Sequence, residues 1–467
     1  MGSQWAADAL VVFGITGDLA RRMTFPALYG LERRGELTCP VIGVASTPLG
    51  ADTLVDRARR SLEESGVYVD EAVFARLTRR LTYIAGEVTD PDLYKSLAAD
   101  LGAARRPLFY LAVPPPLFAP IVDRLDSARL LGDARVAVEK PFGHDLASAR
   151  ELHNRLLQVL DERQLLLVDH FLGKEPVIEI EYLRFANFAM DELWHRTSVA
   201  EIQITMAENF GVDDRGRFYD TVGTLRDVVQ NHLLQVLALV AMDPPIGPST
   251  DDLRAKTVEV LKTVPPAVVD ECVRGQYDGY LSVPGIQPGS TTETYVALRL
   301  EIDNWRWAGV PIFIRAGKQL PVRATEVRLI LRNTPRLRFL PDAGQVEANQ
   351  IVLRVTPEPG LRLQLAGLDE KRAWRPVCLD AAFARDLGEP TAPYERLLHD
   401  ALIGDKRLFA GWDAVQECWR IMQPLVAYPP PVHPYPVGSW GPPQADALLA
   451  GSPPWQSPWL PDLHPER

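Results

Sequence analysis

The chain of 467 residues carries 50 Lys and Arg against 61 Asp and Glu, a formal net charge of -11, with 46% hydrophobic residues. A field of that sign repels polyanions, so neither nucleic acid nor an anionic membrane is an expected partner, and any anionic ligand needs a local basic cluster. The apolar share excludes disorder as the main state, and the length is large for one core, so two domains are expected.

Cys39, Cys272, Cys378 and Cys418 lie far apart with no CxxC spacing. Neither a metal site nor a disulfide framework is expected, and a reducing, cytoplasmic setting fits. The opening MGSQWAADALVVFG has no basic stretch and places Asp8 where a signal sequence would be apolar. The run from Val228 to Met242 is too short to span a membrane and is interrupted by Gln230, Asn231, His232 and Gln235.

In chain order, six apolar runs come first: ALVVFG, CPVIGVAS, LTYIAG, PLFYLAV, RVAVEKP and LLLVDHF, with charged helical stretches between them. Parallel strands need crossovers and the crossover is usually a helix, so this rhythm predicts a Rossmann-like doubly wound domain over residues 1–175. Between the first run and the next helix stands Gly14-Ile15-Thr16-Gly17-Asp18-Leu19-Ala20. Glycines there permit a tight turn and close backbone approach, and the helix start offers amides to a pyrophosphate. The spacing is GxxGxxA, and a merely structural βα turn stays open as the alternative. At the end of the second run, where NAD enzymes place an acid and NADP enzymes an arginine, the chain has Ser46 and Thr47. Their hydroxyls suit a phosphate, with Arg21 or Arg22 as the nearest charges, although such pairs are commonly plain surface arginines.

From about residue 176 the runs lengthen and alternate. Val296, Leu298, Leu300 and Ile302 interleave with Ala297, Arg299, Glu301 and Asp303, the period of a sheet with one buried face. A larger domain over 176–467 is expected, built on a mainly antiparallel sheet with helices. The chain has 40 prolines, thirteen of them between Pro424 and Pro465, and YPPPVHPYPVGSWGPPQ suggests an irregular strap over this domain. His232 lies on an apolar helix stripe with Val228, Val229 and Val236 and by itself reads as a core histidine. Asp227, five residues earlier, falls roughly 140° round an α-helix, so the two do not share a face.

The segments VVFGITGDLARRMTFPALYGLERRGEL, AVEKPFGHDL, VDHFLGKE, RDVVQNHLLQ and IRAGKQLPVR resemble, in order, those of the glucose-6-phosphate dehydrogenase family. The resemblance implies oxidation of D-glucose 6-phosphate to 6-phospho-D-glucono-1,5-lactone with NADP, the first step of the oxidative pentose phosphate pathway. It implies that His170 and Lys174 hold the sugar phosphate. Asp169 would pair with His232, the general base, and Glu208 and Asp227 would bind sugar hydroxyls. Lys140 would sit between cofactor and substrate, and Lys318 and Arg323 would be basic contributions from the large sheet. Gly14, Thr16, Gly17, Asp18, Leu19, Arg21 and Ser46 fall at the cofactor. Members associate through the large sheet, so a homodimer or homotetramer is expected.

Three departures qualify the resemblance. Phe171 stands where the family usually has Tyr, a loss of about 0.5 to 1.5 kcal/mol if one neutral hydrogen bond to the phosphate goes. Ser46 replaces the usual arginine for the 2'-phosphate, which leaves NAD open. Ala324 replaces the lysine that helps hold a second, structural NADP in eukaryotic relatives, so that site is not expected. Two alternatives remain: an oxidoreductase of the glucose-fructose oxidoreductase kind acting on another sugar, and a catalytically silent nucleotide-binding relative.

Overall fold

A computed structural model describes residues 5–335, 346–371, 373–388 and 390–461. The chain divides into two compact units, Met1–Lys174 with Thr391–Gln416, and Glu175–Pro390 with Glu417–Arg467.

In the first unit the six apolar runs become strands β1 (Ala9–Phe13), β2 (Val41–Ala45), β3 (Leu81–Ala85), β4 (Pro107–Leu111), β5 (Arg135–Glu139) and β6 (Leu165–Val168). They form one sheet in the order β3-β2-β1-β4-β5-β6, parallel throughout. All of these strands except β3 are buried at every residue, as expected where helices cover both faces. Helix starts are set by local chemistry: the Asp70 carboxylate accepts the Ala72 and Val73 amides, and Asp145 with Ser148 forms a reciprocal cap. Gly35, left-handed at φ +75°, ends the helix Phe25–Arg34.

The sequence reading places 391–416 in the second domain, whereas the structure joins this segment to the first unit. Its helix Pro393–Ile403 buries Tyr394, Leu397, Leu398, Ala401 and Leu402. Glu395 pairs with Arg34 across Gly30, where a Cβ would collide with the Glu395 carboxylate. The Ala410 amide donates to the Leu167 carbonyl of β6 at 3.0 Å. An amphipathic helix does not encode which surface receives its apolar face, so this excursion has no local signal.

The second unit is built on β7 (Val199–Ala207), β8 (Cys272–Tyr277), β9 (Tyr295–Leu300), β10 (Ile312–Gly317), β11 (Ala324–Leu331), β12 (Gln350–Thr356), β13 (Gly360–Leu368), β14 (Trp374–Ala382) and β15 (Val432–Tyr435). Their order is β14-β13-β12-β11-β7-β10-β9-β8-β15, antiparallel except for the β7–β10 and β8–β15 pairs. The run that continues β11 extends past Asn333 to Phe339, and its last four residues lie outside the described residues.

The expectation of one wet face fails for the middle of this sheet: β10 is buried at every residue, and β7 and β11 nearly so. The polar residues of the alternation lie under the proline-rich strap. Arg315 donates to the Gln456 carbonyl at 2.7 Å and lies over the Trp440 and Trp455 rings. Arg328 reaches the Ser457 carbonyl, the Gln456 amide donates to Gln203, and the Trp459 amide donates to Glu326. Burying such a face is tolerable because its charges and amides find partners in the strap.

Candidate active site

The glycine turn leaves β1 through Gly14, at φ +82°, where a Cβ would stand 2.3 Å from the Ala112 carbonyl oxygen. The Gly17 amide donates back to the Gly14 carbonyl at 2.9 Å. Leu19 then opens a widened helical turn, Ala20–Thr24, in which the Phe25 amide reaches the Ala20 carbonyl five residues back. Asp18 holds Arg21 at 2.6 Å and Arg22 at 3.1 Å. Partial burial raises the Asp18 carboxyl, but hydrogen bonds and charge from these arginines outweigh it and leave it below its ordinary value. Arg21 is also paired with Glu64. Thr16 turns its carbonyl to Arg57, which donates at 2.7 Å. Ser46 and Thr47 are exposed beyond β2, and the Tyr83 hydroxyl donates to the Thr47 carbonyl. A turn that admits only glycine, at the carboxyl end of a parallel strand and the start of a helix, fits a dinucleotide pyrophosphate.

Lys140, Asp169, His170 and Lys174 also follow carboxyl ends of strands in this sheet, after β5 and β6. Asp169 is 2% exposed, and its Oδ1 accepts the Phe171 amide at 2.9 Å, so the turn itself orients the carboxylate. His170 lies nearly parallel to the Tyr394 ring, centroids 6.0 Å apart. The Phe171 ring is buried, and Lys174 Nζ lies 3.6 Å from its centroid. Phe171 therefore supports the lysine ammonium by a cation–π contact. Beside Lys140, Glu139 accepts from the Tyr110 hydroxyl at 2.6 Å and from the Tyr394 hydroxyl at 3.5 Å. Burial pushes its carboxyl up to about 7, against the pull of Tyr110 and Lys140.

In the second unit β7 and β10 run parallel with Ala207 opposite Gly317, so Glu208 and Lys318 emerge side by side. Lys318 Nζ meets Glu208 Oε2 at 2.6 Å and lies 5.0 Å from the Phe210 ring and 5.2 Å from the Tyr219 ring. The Lys318 carbonyl accepts from the Tyr435 hydroxyl at 2.6 Å. Arg323 is exposed at the start of β11, with its guanidinium 6.0 Å from the same Phe210 ring.

Asp227 and His232 stand on Leu225–Leu233, which is wound as a π-helix, the Leu234 amide reaching the Val229 carbonyl five residues back. In that winding residues five apart are about one turn apart. Asp227 and His232 therefore share a face, which corrects the angle drawn from α-helical geometry. The stretch begins after a kink at Gly223, φ +70°, where a Cβ would stand 2.5 Å from Glu293 Oε1. That oxygen accepts the Leu225 amide at 3.0 Å, while Arg274 holds the other carboxylate oxygen at 2.7 Å. A buried ion pair thus anchors the segment that presents Asp227 and His232.

Arg57, Tyr394, Phe210, Gly223, Glu293 and Arg274 have no motif to announce them. Each acts through a partner distant in sequence, and only Gly223, a glycine inside a helical pattern, carries a local cue.

A doubly wound parallel sheet with a glycine turn, joined to a second unit on a large mixed sheet, defines a nicotinamide-dinucleotide-dependent dehydrogenase fold. Sequence models of the glucose-6-phosphate dehydrogenase NAD-binding and C-terminal domains match residues 11–179 and 181–456. The chain is 61% identical over 460 residues to glucose-6-phosphate 1-dehydrogenase 1 of Mycobacterium tuberculosis H37Rv, covering 98% of both chains. It is 36% identical to that of Bacillus subtilis, covering 96% of this chain and 97% of the relative. The crystal structure of glucose-6-phosphate 1-dehydrogenase from Mycobacterium avium matches with a TM-score of 0.93 at 58% identity, over 98% of this chain and 100% of that one. A glucose-6-phosphate dehydrogenase in complex with its substrate glucose-6-phosphate matches with a TM-score of 0.88 at 32% identity over the same shares. The chain belongs to the glucose-6-phosphate dehydrogenase family. Among the described residues no helix is long and apolar enough to cross a membrane.

Proposed function

We propose that the chain oxidises D-glucose 6-phosphate at C1 to 6-phospho-D-glucono-1,5-lactone, the entry step of the oxidative pentose phosphate pathway. The observation that carries this is the family match, which runs from residue 11 to 456 with a single-residue gap. Forming the lactone carbonyl removes the hydroxyl proton from oxygen while a hydride leaves carbon. His232 is the base for that proton, and Asp169 is the carboxylate that steadies the imidazolium so formed. Asp227 and Glu208 accept hydrogen bonds from the sugar hydroxyls. His170 and Lys174 hold the phosphate by charge-assisted hydrogen bonds, with Lys318 and Arg323 as further basic groups and Lys140 between sugar and cofactor. NADP, when bound, supplies the hydride acceptor, and we take it as the cofactor ahead of NAD. The glycine turn holds its pyrophosphate through Gly14, Thr16, Gly17, Asp18 and Leu19.

The reading also takes the active form as a homodimer or a dimer of dimers assembled through the large sheet. Supporting it, β14 is an edge strand of the described sheet, and Leu365, Leu368, Val377 and Leu379 are exposed on β13 and β14.

Purified chain, glucose 6-phosphate and each dinucleotide, followed at the reduced-nicotinamide absorbance, tests the activity. No turnover with either cofactor overturns it, and turnover of glucose but not of its 6-phosphate moves the assignment to a different sugar oxidoreductase.

A further inference from the structure

The arginines of the first helical turn already have partners. Arg21 is shared between Asp18 and Glu64, and Arg22 leans on Asp18. A 2'-phosphate approaching either would have to displace a carboxylate.

Arg57 is placed differently. It comes from the helix Ala51–Glu64 that follows β2, it is half-buried, and among the described residues no carboxylate pairs with it. One Nη2 proton goes to the Thr16 carbonyl at 2.7 Å. A guanidinium has five N–H donors in a rigid fork, so one bond to Thr16 fixes its plane and leaves donors for an anion. Its charge also reaches the Tyr83 hydroxyl, which burial raises and Arg57 lowers. That hydroxyl donates to the carbonyls of Thr47 and, at 3.4 Å, Ala45, closing the end of β2. The guanidinium is thus bracketed by the two turns which, in a doubly wound fold, face the pyrophosphate and the adenosine ribose. A cavity of about 90 Å³ opens beside it, lined by Gly17, Arg57, Arg60, Arg21 and Glu64 among others. Among the described residues lining it, Glu64 is the one carboxylate that would repel a phosphate, and Arg21 neutralises it.

We infer that Arg57 reads the 2'-phosphate of NADP, supplying from the helix after β2 the charge that Ser46 does not supply at the strand end. The inference rests on the dinucleotide reading of the first unit. Ser46 and Thr47, exposed at the strand end, add hydroxyl donors, and Arg21 acts by holding Glu64 away from the phosphate.

The test is calorimetric binding to the full chain, with no sugar present, of two fragments that differ only in the group at issue: adenosine 2',5'-bisphosphate and adenosine 5'-monophosphate. NADP and NAD form a second such pair. Wild type should prefer the 2'-phosphorylated member of each pair by at least roughly tenfold. Arg57→Ala should weaken binding of that member by roughly 10- to 100-fold and of the other by no more than about threefold. Arg57→Lys, which keeps the charge without the fork, should fall between, and Arg21→Ala, which releases Glu64 beside the phosphate, should reduce the preference by less than Arg57→Ala does. A wild-type ratio near one overturns the inference. So does a loss in Arg57→Ala equal for both members, which is what a role only in supporting the Thr16 turn would produce. If the dinucleotides bind with the expected ratio but no sugar phosphate is turned over, the enzyme reading falls and this one stands. If neither dinucleotide binds, both fall.

Discussion

Glu139→Gln isolates the cost of a buried carboxyl at the end of β5. Glu139 is 7% exposed, and burial moves its carboxyl from the ordinary 4.5 to about 7 even though two tyrosine hydroxyls approach it. That displacement is worth about 3 kcal/mol between the two protonation states. Between its ordinary value and about 7 the folded chain keeps a proton that the unfolded chain has released, so this group's contribution to stability falls as pH rises and is constant above that window. Glutamine cannot ionise. Its carbonyl still accepts from Tyr110, and its amide turns to the Tyr394 hydroxyl, which can accept in turn. Variant and wild type should therefore unfold alike near about pH 5, and the variant should be more stable by about 2 to 3 kcal/mol near about pH 8. Urea unfolding followed by circular dichroism across that range reads the difference. Glu201, which burial also raises to about 7, is present in both proteins and cancels. Midpoints that move in parallel at every pH, or a variant that loses ground as pH rises, would refute the reasoning.

Replacing His232 by Asn should lower kcat by about 10²- to 10⁴-fold with KM nearly unchanged; a wild-type rate would place the base elsewhere. Lys318→Met should raise KM for glucose 6-phosphate while leaving dinucleotide affinity as it was, since Lys318 belongs to the second unit; steady-state kinetics with the sugar and the cofactor varied in turn separate the two. Trp459, buried beneath the Arg354 and Arg362 guanidinium groups at 3.8 and 4.4 Å, is a main anchor of the strap. Its change to Ala should cost about 3 kcal/mol, seen as a lower Tm, and an unchanged Tm would mean that the strap adds little. Leu379→Asp on the exposed edge strand should shift the protein to smaller species in light scattering at micromolar concentration, and an unaltered mass would move the proposed self-association to another surface.

Much of the first unit was legible because a parallel sheet covered on both faces writes its strands as continuous apolar runs, and all six runs became strands. The glycine turn was legible for a similar reason: Gly14 sits where a Cβ has no room. In the second unit the alternation marked strands but misled about their surroundings, since Gln203, Arg315 and Arg328 look solvent-facing until the strap is seen lying on them. Family resemblance marks Asp227 and His232, whereas α-helical spacing sets them on different faces. The segment is wound as a π-helix instead, and the anchor beneath it, Arg274 on β8 and Glu293 just before β9, lies about 40 or more residues further on.

The sequence by itself determined the six strands of the parallel sheet, where the glycine turn lies and which family the chain resembles, because apolar runs, glycine placement and short motifs are properties of neighbouring residues. Tertiary structure alone decided that residues 391–416 belong to the first unit, that the polar face of the large sheet is covered, and that Arg57, not Arg21, has donors to spare. Each of those outcomes depends on a pairing between segments far apart in the chain. Helix faces, guanidinium groups and carboxylates carry no local mark of the partner that folding assigns them.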